Sequence, residues 1–233
     1  MFKLENLVAG YGGTTVLRGV DLVVPKSSVV ALLGANGAGK TTLLRVASGV
    51  LKPMSGSMTL DGVDVTGNSP HDLVAKGICH VPEGRGVFRS LTVRDNLVLQ
   101  SAKGDESNAI ERAVSAFPRL GERMSQVAGT MSGGEQQMLA LARTYVQHPS
   151  VVLLDEVSMG LAPKVVDEIF EFLELLRSQG ASLLLVEQYV TRALAAADYV
   201  YLLNRGEIAF AGEPSELDDG DLFAQYVGAD IGH

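Results

Sequence analysis

The sequence has no tryptophan, a single cysteine and no long apolar run. One thiol, Cys79, cannot close an internal disulfide, and the chain is expected in a reducing compartment. The most apolar stretches, VVALLGANG, VVLLDEV and ASLLLVEQ, fall far short of the roughly 20 residues that span a bilayer. No charged-then-apolar leader opens the chain, so the expectation is a cytoplasmic protein that is not exported. Basic residues are in deficit: 19 Lys and Arg stand against 27 Asp and Glu, for a net charge of -8. Binding a phosphate backbone needs a basic face, and the cations here are scattered, so a nucleic-acid partner is disfavoured. Internal repeats and low-complexity tracts are also missing.

What is present is a packed α/β chain. An apolar share of 46% with 20% charged residues is that of a globular protein, and the length suits one large core with a smaller lobe. The short apolar runs are the right size for strands buried on both faces of a sheet. The segment FKLENLVAGYGGTTVLRGVDLVVPKSSVVALLG reads as strands reversed at YGG and PKSS, an antiparallel sheet leading into the core. After Lys40, TTLLRVASGVL has helical spacing, stopped by Pro53 and Gly56. Helical patterns occupy the stretch from Arg89 to His148, and strands resume at Val151 and Ser182. These strands flank the amphipathic helix PKVVDEIFEFLELLRSQG, whose stripe Ile169, Phe172, Leu173 and Leu176 is expected in the core. DYVYLLNRGEIAFAG reads as a hairpin turning near Asn204 to Gly206. One unit over 1–233 is expected, its core from 1–88 and 149–233, with a helical lobe over 89–148 inserted.

Three stretches carry chemistry. GANGAGKT (Gly34, Ala35, Asn36, Gly37, Ala38, Gly39, Lys40, Thr41), followed by Thr42, fits the phosphate loop between a buried strand and a helix. Its glycines let backbone N–H groups converge on a phosphate, Lys40 reaches the β and γ oxygens, and the Thr41 hydroxyl ligates Mg²⁺. VVLLDE ends an apolar strand in two acids at the sheet edge where ligands bind. Asp155 is expected to hold the metal and Glu156 to polarise the attacking water. In MSGGEQQMLALAR, Ser132 is a helix N-cap, and Gly133, Gly134 and Glu135 open a helix whose first amides face an anion. His80, placed after a strand, and His148, in a loop, have no partner at metal-ligand spacing, and structural roles are expected for both.

Together the three stretches resemble the ATP-binding-cassette ATPases, SGGEQQ being close to their LSGGQ signature, and the resemblance covers essentially the whole chain. It implies a P-loop NTPase core with an N-terminal antiparallel β subdomain and an inserted helical subdomain, using ATP and Mg²⁺. It makes Tyr11 the aromatic that stacks on adenine. It also implies that the Ser132 helix completes the site of an opposing subunit, so that two chains sandwich two nucleotides. Three positions depart from the general pattern: Glu83 in HVPEGRG replaces the usual Gln, Gln188 in LLLVEQYV the usual switch His, and Ala162 a usual Asp. Glu83 is placed near the metal and, with Gln188, among the catalytic groups, in a site expected to hydrolyse slowly.

That combination is similar to one branch, the second ATP-binding subunit of branched-chain amino-acid importers. The implied partners are a related second ATPase subunit (a homodimer in isolation being the alternative), two integral membrane permease subunits and, indirectly, an extracytoplasmic solute-binding protein. The implied location is the inner face of the cell membrane. VFRSLTVRDNL, with Thr92 as helix cap, is the stretch the resemblance places against the membrane subunit. Val157 stands where the branch has Pro, which leaves the backbone after Glu156 less constrained. Other solutes, such as urea, amides or different amino acids, remain open, as does a soluble cassette protein acting on ribosomes or DNA.

Overall fold

The computed structural model describes residues 1–84, 86–101, 103–187 and 190–217. Strands β1 (Phe2–Tyr11) and β2 (Thr14–Val24) form a hairpin closed at Gly12 and Gly13, both in the left-handed region. β3 (Val29–Leu33) runs into the glycine loop and α1 (Lys40–Ala47). Then come β4 (Ser55–Leu60), β5 (Val63–Asp64), α2 (Pro70–Ala75) and β6 (Ile78–Val81). The helices α3 (Val93–Val98), α4 (Glu106–Ala116), α5 (Pro118–Gly121) and α6 (Gly133–Val146) follow. β7 (Val151–Asp155), α7 (Pro163–Ser178), β8 (Ser182–Val186), α8 (Val190–Ala196), β9 (Tyr199–Asn204) and β10 (Glu207–Gly212) come next, and short 3-10 turns at Ala128–Thr130 and Pro214–Leu217 complete the described elements.

Two sheets result. One has the order β2-β1-β4-β5 and is antiparallel throughout; the other has the order β10-β9-β3-β8-β7-β6 and is parallel except at its β10 edge. The central strands divide their side chains between two cores, as their period of two requires. Val29, Ala31, Leu33, Val152, Leu154, Leu183 and Leu185 face the side covered by α3, α4, α6 and α7. Val30, Leu32, Val151, Leu153, Leu184 and Val186 face α1 and the antiparallel sheet. Strands sandwiched in this way have no solvent face, which is why they read as unbroken apolar runs. The stripe Ile169, Phe172, Leu173 and Leu176 of α7 lies in the first of these cores.

Several boundaries differ from the sequence expectation. α1 stops at Ala47, short of Pro53, because Gly49 takes φ 75° where a Cβ would meet Asn68 O at 2.6 Å. The antiparallel sheet is not confined to the N-terminal segment: β4 and β5, from beyond α1, complete it. His80 lies within β6, opposite Leu153 of β7, rather than after the strand. Burial, with Arg45 nearby, pushes its imidazole down to about 4, so it packs as a neutral ring.

Candidate active site

The phosphate loop is moulded by its surroundings. Gly34 leaves β3 at φ 152°, and a Cβ there would lie 2.2 Å from Leu203 O of β9, so only glycine fits. The β9–β10 turn, formed by Arg205 and Gly206 at positive φ, braces the other end, Gly206 N–H donating to Ala38 O at 2.9 Å. Ala35, Asn36 and Gly37 form the exposed crest, whereas Ala38, Gly39 and Thr42 are buried beneath it and Thr41 faces solvent. Ala38 N–H is already committed to Ala35 O at 3.1 Å. Ala38 and Thr42 thus support the crest from below.

Lys40 folds back over this loop, Nζ donating to Gly34 O at 2.6 Å and Ala35 O at 3.2 Å. Burial lowers its pKa, while the charges of Glu156 and then Asp155 act the other way. Asp155 ends β7 only 4% exposed. Burial raises its carboxyl to about 6, helped by the negative charges of Glu156 and Glu83 and opposed by Lys40 and Arg45. Glu83 stands exposed in the turn after β6 and lines, with Glu156, Arg89, Gln136 and Gln137, a cleft of about 210 Å³. The structure therefore gathers Lys40, Glu83, Asp155 and Glu156 at the carboxyl edge of the parallel sheet, where doubly wound folds bind ligands. Gln188 lies outside the described residues.

The charge on Asp155 carries a measurable consequence. Its folded pKa is raised above the ordinary 3.8, so between about pH 4 and 6 the folded chain holds a proton that the unfolded chain has released. Stability is therefore lost as pH rises through that window, by roughly 3 kcal/mol when complete. Asp155→Asn is expected to raise the melting temperature of the nucleotide-free protein by several degrees near pH 7.5 and to leave it unchanged near pH 4. Calorimetry across that range checks this; a gain independent of pH would contradict it.

The Ser132 helix is built differently. Ser132 caps α6 in a capping box: Glu135 N–H donates to Ser132 Oγ at 3.4 Å, and Ser132 N–H donates to Glu135 Oε2 at 2.9 Å. Burial raises the Glu135 pKa, but the bonds from Ser132 and the charges of Arg123 and Arg119 outweigh it and keep the carboxylate ionised. Gly133 sits half-buried at the first turn. Gly134 has a second task beyond clearing amides, because a Cβ there would lie 2.8 Å from Val165 Cγ1 of α7. Tyr11, 42% exposed at the end of β1, accepts a hydrogen bond from Arg45 Nη1 of α1 at 3.2 Å, which links its hydroxyl to the helix that follows the loop.

Supporting residues beyond the sequence reading appear around these groups. Gln136 Nε2 donates to Ala128 O at 2.9 Å and holds the approach to α6. Arg143, further along α6, donates to Gly86 O and places its guanidinium 4.7 Å from the Phe88 ring centroid. It thereby ties the Ser132 helix to the loop that carries Glu83. Asn96 receives Phe88 N–H at 2.8 Å and donates to Phe88 O and Thr92 O, so the first part of the VFRSLTVRDNL stretch is tied to its second part, α3, which Thr92 caps through Asp95.

Known proteins resemble the chain in sequence and in fold. The family model described as "ABC transporter" matches residues 17–159. The chain is 43% identical over 211 residues to the high-affinity branched-chain amino acid transport ATP-binding protein BraG of Pseudomonas aeruginosa, covering 89% of this chain and 91% of that one. It is 39% identical over 227 residues to the probable branched-chain amino acid transport ATP-binding protein LivF of Archaeoglobus fulgidus, covering 96% of each. Among solved structures, a nucleotide-free ATP-binding cassette from an ABC transporter superposes with a TM-score of 0.86 at 25% identity, covering 98% of this chain and 99% of that chain.

Proposed function

Since this chain belongs to the ABC transporter family and is one of its ATPases, we propose that it drives a branched-chain amino-acid importer as one of two ATP-binding subunits. The observation that carries the catalytic reading is the convergence of Lys40, Asp155, Glu156 and Glu83 beside the phosphate loop. The solute class rests on the similarity to proteins named for branched-chain amino-acid transport at 43% and 39% identity. Among the described residues no helix is long and apolar enough to cross a membrane. In this reading the transport path belongs to two separate permease subunits, with this chain docked at the inner face of the membrane and the solute-binding protein acting through them.

The donor set suits Mg²⁺. Asp155, Thr41 and Glu83 offer only oxygen, and Asp155 is a buried carboxyl whose raised pKa a divalent cation would reverse. Among the described residues no group of three or more His, Cys, Asp or Glu forms a cage. Nucleotide phosphates and water are therefore needed to complete the coordination, the usual manner for this ion. Bound Mg²⁺ supplies charge neutralisation at the phosphate oxygens.

The residues do the rest. The crest Ala35 to Gly37 presents its amides to the phosphates, the N-terminus of α1 adds its dipole, and Lys40 faces the β and γ oxygens. Tyr11 stacks on adenine. Glu156 orients the attacking water and accepts its proton. Ser132, with the amides of Gly133 and Gly134, meets the γ-phosphate held by the opposing subunit, which is a related second ATPase, while the Glu135 amide stays in the capping box with Ser132 Oγ. Closure of the two subunits on ATP moves the permease pair between its two states, and hydrolysis resets them.

Co-expression with the two permeases and the related ATPase is the direct test. A stable complex whose hydrolysis is stimulated by the binding protein loaded with leucine, isoleucine or valine is expected. Stimulation by urea or another amino acid alone would reassign the solute, and failure to associate with any permease would overturn the importer reading. Ser132→Arg tests the shared site, because the exposed cap accommodates arginine in the free subunit but not beneath an opposing γ-phosphate. ATP affinity of the dilute chain is expected to stay within about twofold, while turnover of the assembled complex falls by at least about tenfold. Parallel loss of both would refute the two-half-site arrangement.

A further inference from the structure

Glu156 carries its catalytic side chain on an unfavourable backbone. Its φ is 48°, the left-handed region that a non-glycine residue occupies at a cost, and such geometry persists only where its surroundings over-determine it. The residue after it is Val157 rather than a proline that would fix the chain by itself. Three contacts supply the constraint instead. Glu156 N–H donates to Val186 O, the last residue of β8, at 2.9 Å. Val157 is 2% exposed and packed into the core. Ser158, itself fully buried, donates its backbone N–H to Glu187 Oε1 at 3.1 Å and its hydroxyl to Glu187 Oε2 at 2.5 Å.

Glu187 is 3% exposed, and both of its carboxylate oxygens are engaged by one serine. A buried carboxylate is expensive to keep, and here it receives two donors from the loop that follows the catalytic acid. Glu187 also adjoins Gln188, the sequence position assigned to the switch. One buried side chain thus joins the segment after Glu156 to the end of the neighbouring strand.

We propose that Glu187 is a positioning residue for Glu156: by clamping Ser158 it fixes the loop on which the water-activating carboxylate is carried. The proposal rests on Glu156 having the role assigned above. Without the clamp, the φ of Glu156 is free to relax and its carboxylate leaves the line of attack. The phosphate loop is held in shape by main-chain bonds of its own, from Ala38 N–H to Ala35 O and from Gly206 N–H to Ala38 O, and keeps its hold on ATP. The loss therefore falls on the chemical step.

The test uses the full chain and measures single-turnover hydrolysis, equilibrium ATP affinity and melting temperature on Glu187→Ala, Glu187→Gln, Ser158→Ala and the Glu187→Ala/Ser158→Ala pair, with Glu156→Gln alongside. Glu187→Ala is expected to lower the hydrolysis rate by at least about tenfold with ATP affinity within about twofold of wild type. Glu187→Gln, which can accept from the Ser158 amide and donate to its hydroxyl, is expected to restore most of that rate. The double variant is expected to lose no more than Glu187→Ala alone, because one interaction is removed in both. If Glu187→Ala fails to fold, Ser158→Ala, which deletes only the hydroxyl bond, must still slow hydrolysis by several-fold at unchanged affinity. A rate near wild type in the folded alanine variants, or equal losses of rate and affinity, overturns the clamp. An active Glu156→Gln would instead overturn the catalytic assignment beneath it, so the two failures are distinguishable.

Discussion

Glu156→Gln is expected to slow single-turnover ATP hydrolysis by a factor of about 10²–10⁴ while ATP remains bound. The substitution keeps the size of the side chain and removes only its capacity to accept a proton. It leaves the backbone bond from residue 156 to Val186 O, at 2.9 Å, in place. It also removes a negative charge that raises the pKa of Asp155. Asp155 then ionises more readily, and its grip on a nucleotide-bound cation is at least as strong as in the wild type. Binding without turnover holds the closed state, so two chains with trapped ATP are expected to elute together in gel filtration when the variant is loaded with nucleotide. A hydrolysis rate within about threefold of wild type would remove Glu156 from its assigned role.

The parts of this site that the sequence made legible are those written in local pattern. The phosphate loop needs glycines at fixed offsets, and Gly34 is required because Leu203 O stands 2.2 Å from where its Cβ would be. The β7 and β8 runs begin at Val151 and Ser182, as their apolar content indicates, because both faces are buried. The Ser132 cap is legible because Glu135 stands three residues on and closes the capping box.

What escaped is what the fold brings together from far apart. β4, with the sequence SGSMTL, has little apolar signal and becomes a strand only by pairing with β1, some fifty positions earlier. Glu187 and Ser158 lie 29 residues apart, and nothing in either stretch announces a partner. Val157 illustrates the same limit. Its sequence reading is a loss of proline stiffness, whereas its burial and the clamp behind it restore the constraint by tertiary contacts. Gly134 reads as an open amide, but its lack of a side chain is also demanded by Val165 of α7.

Lys40→Ala is expected to weaken ATP binding by about 10²–10⁴-fold. The ammonium group is half-buried and already oriented by Gly34 O and Ala35 O, at 2.6 and 3.2 Å, so it faces incoming phosphate oxygens with little further ordering. Charge-assisted bonds to two phosphate oxygens contribute about 1.5–3 kcal/mol each, and alanine forfeits both. The substitution also removes a cation whose charge acts on Asp155, pushing Asp155 further toward its protonated form and weakening its hold on Mg²⁺. The loop itself should survive. Its shape depends on main-chain bonds that alanine retains, from Ala38 N–H to Ala35 O, from Leu43 N–H to Gly39 O and from Gly206 N–H to Ala38 O. Far-ultraviolet circular dichroism is therefore expected to match wild type while equilibrium titration with a fluorescent ATP analogue shows the loss. Lys40→Arg discriminates further, because the planar guanidinium cannot occupy the pocket of the compact ammonium and should recover little affinity despite its charge. An alanine variant that binds within about threefold of wild type would mean that the loop amides alone hold the nucleotide, and the role given to Lys40 would fall.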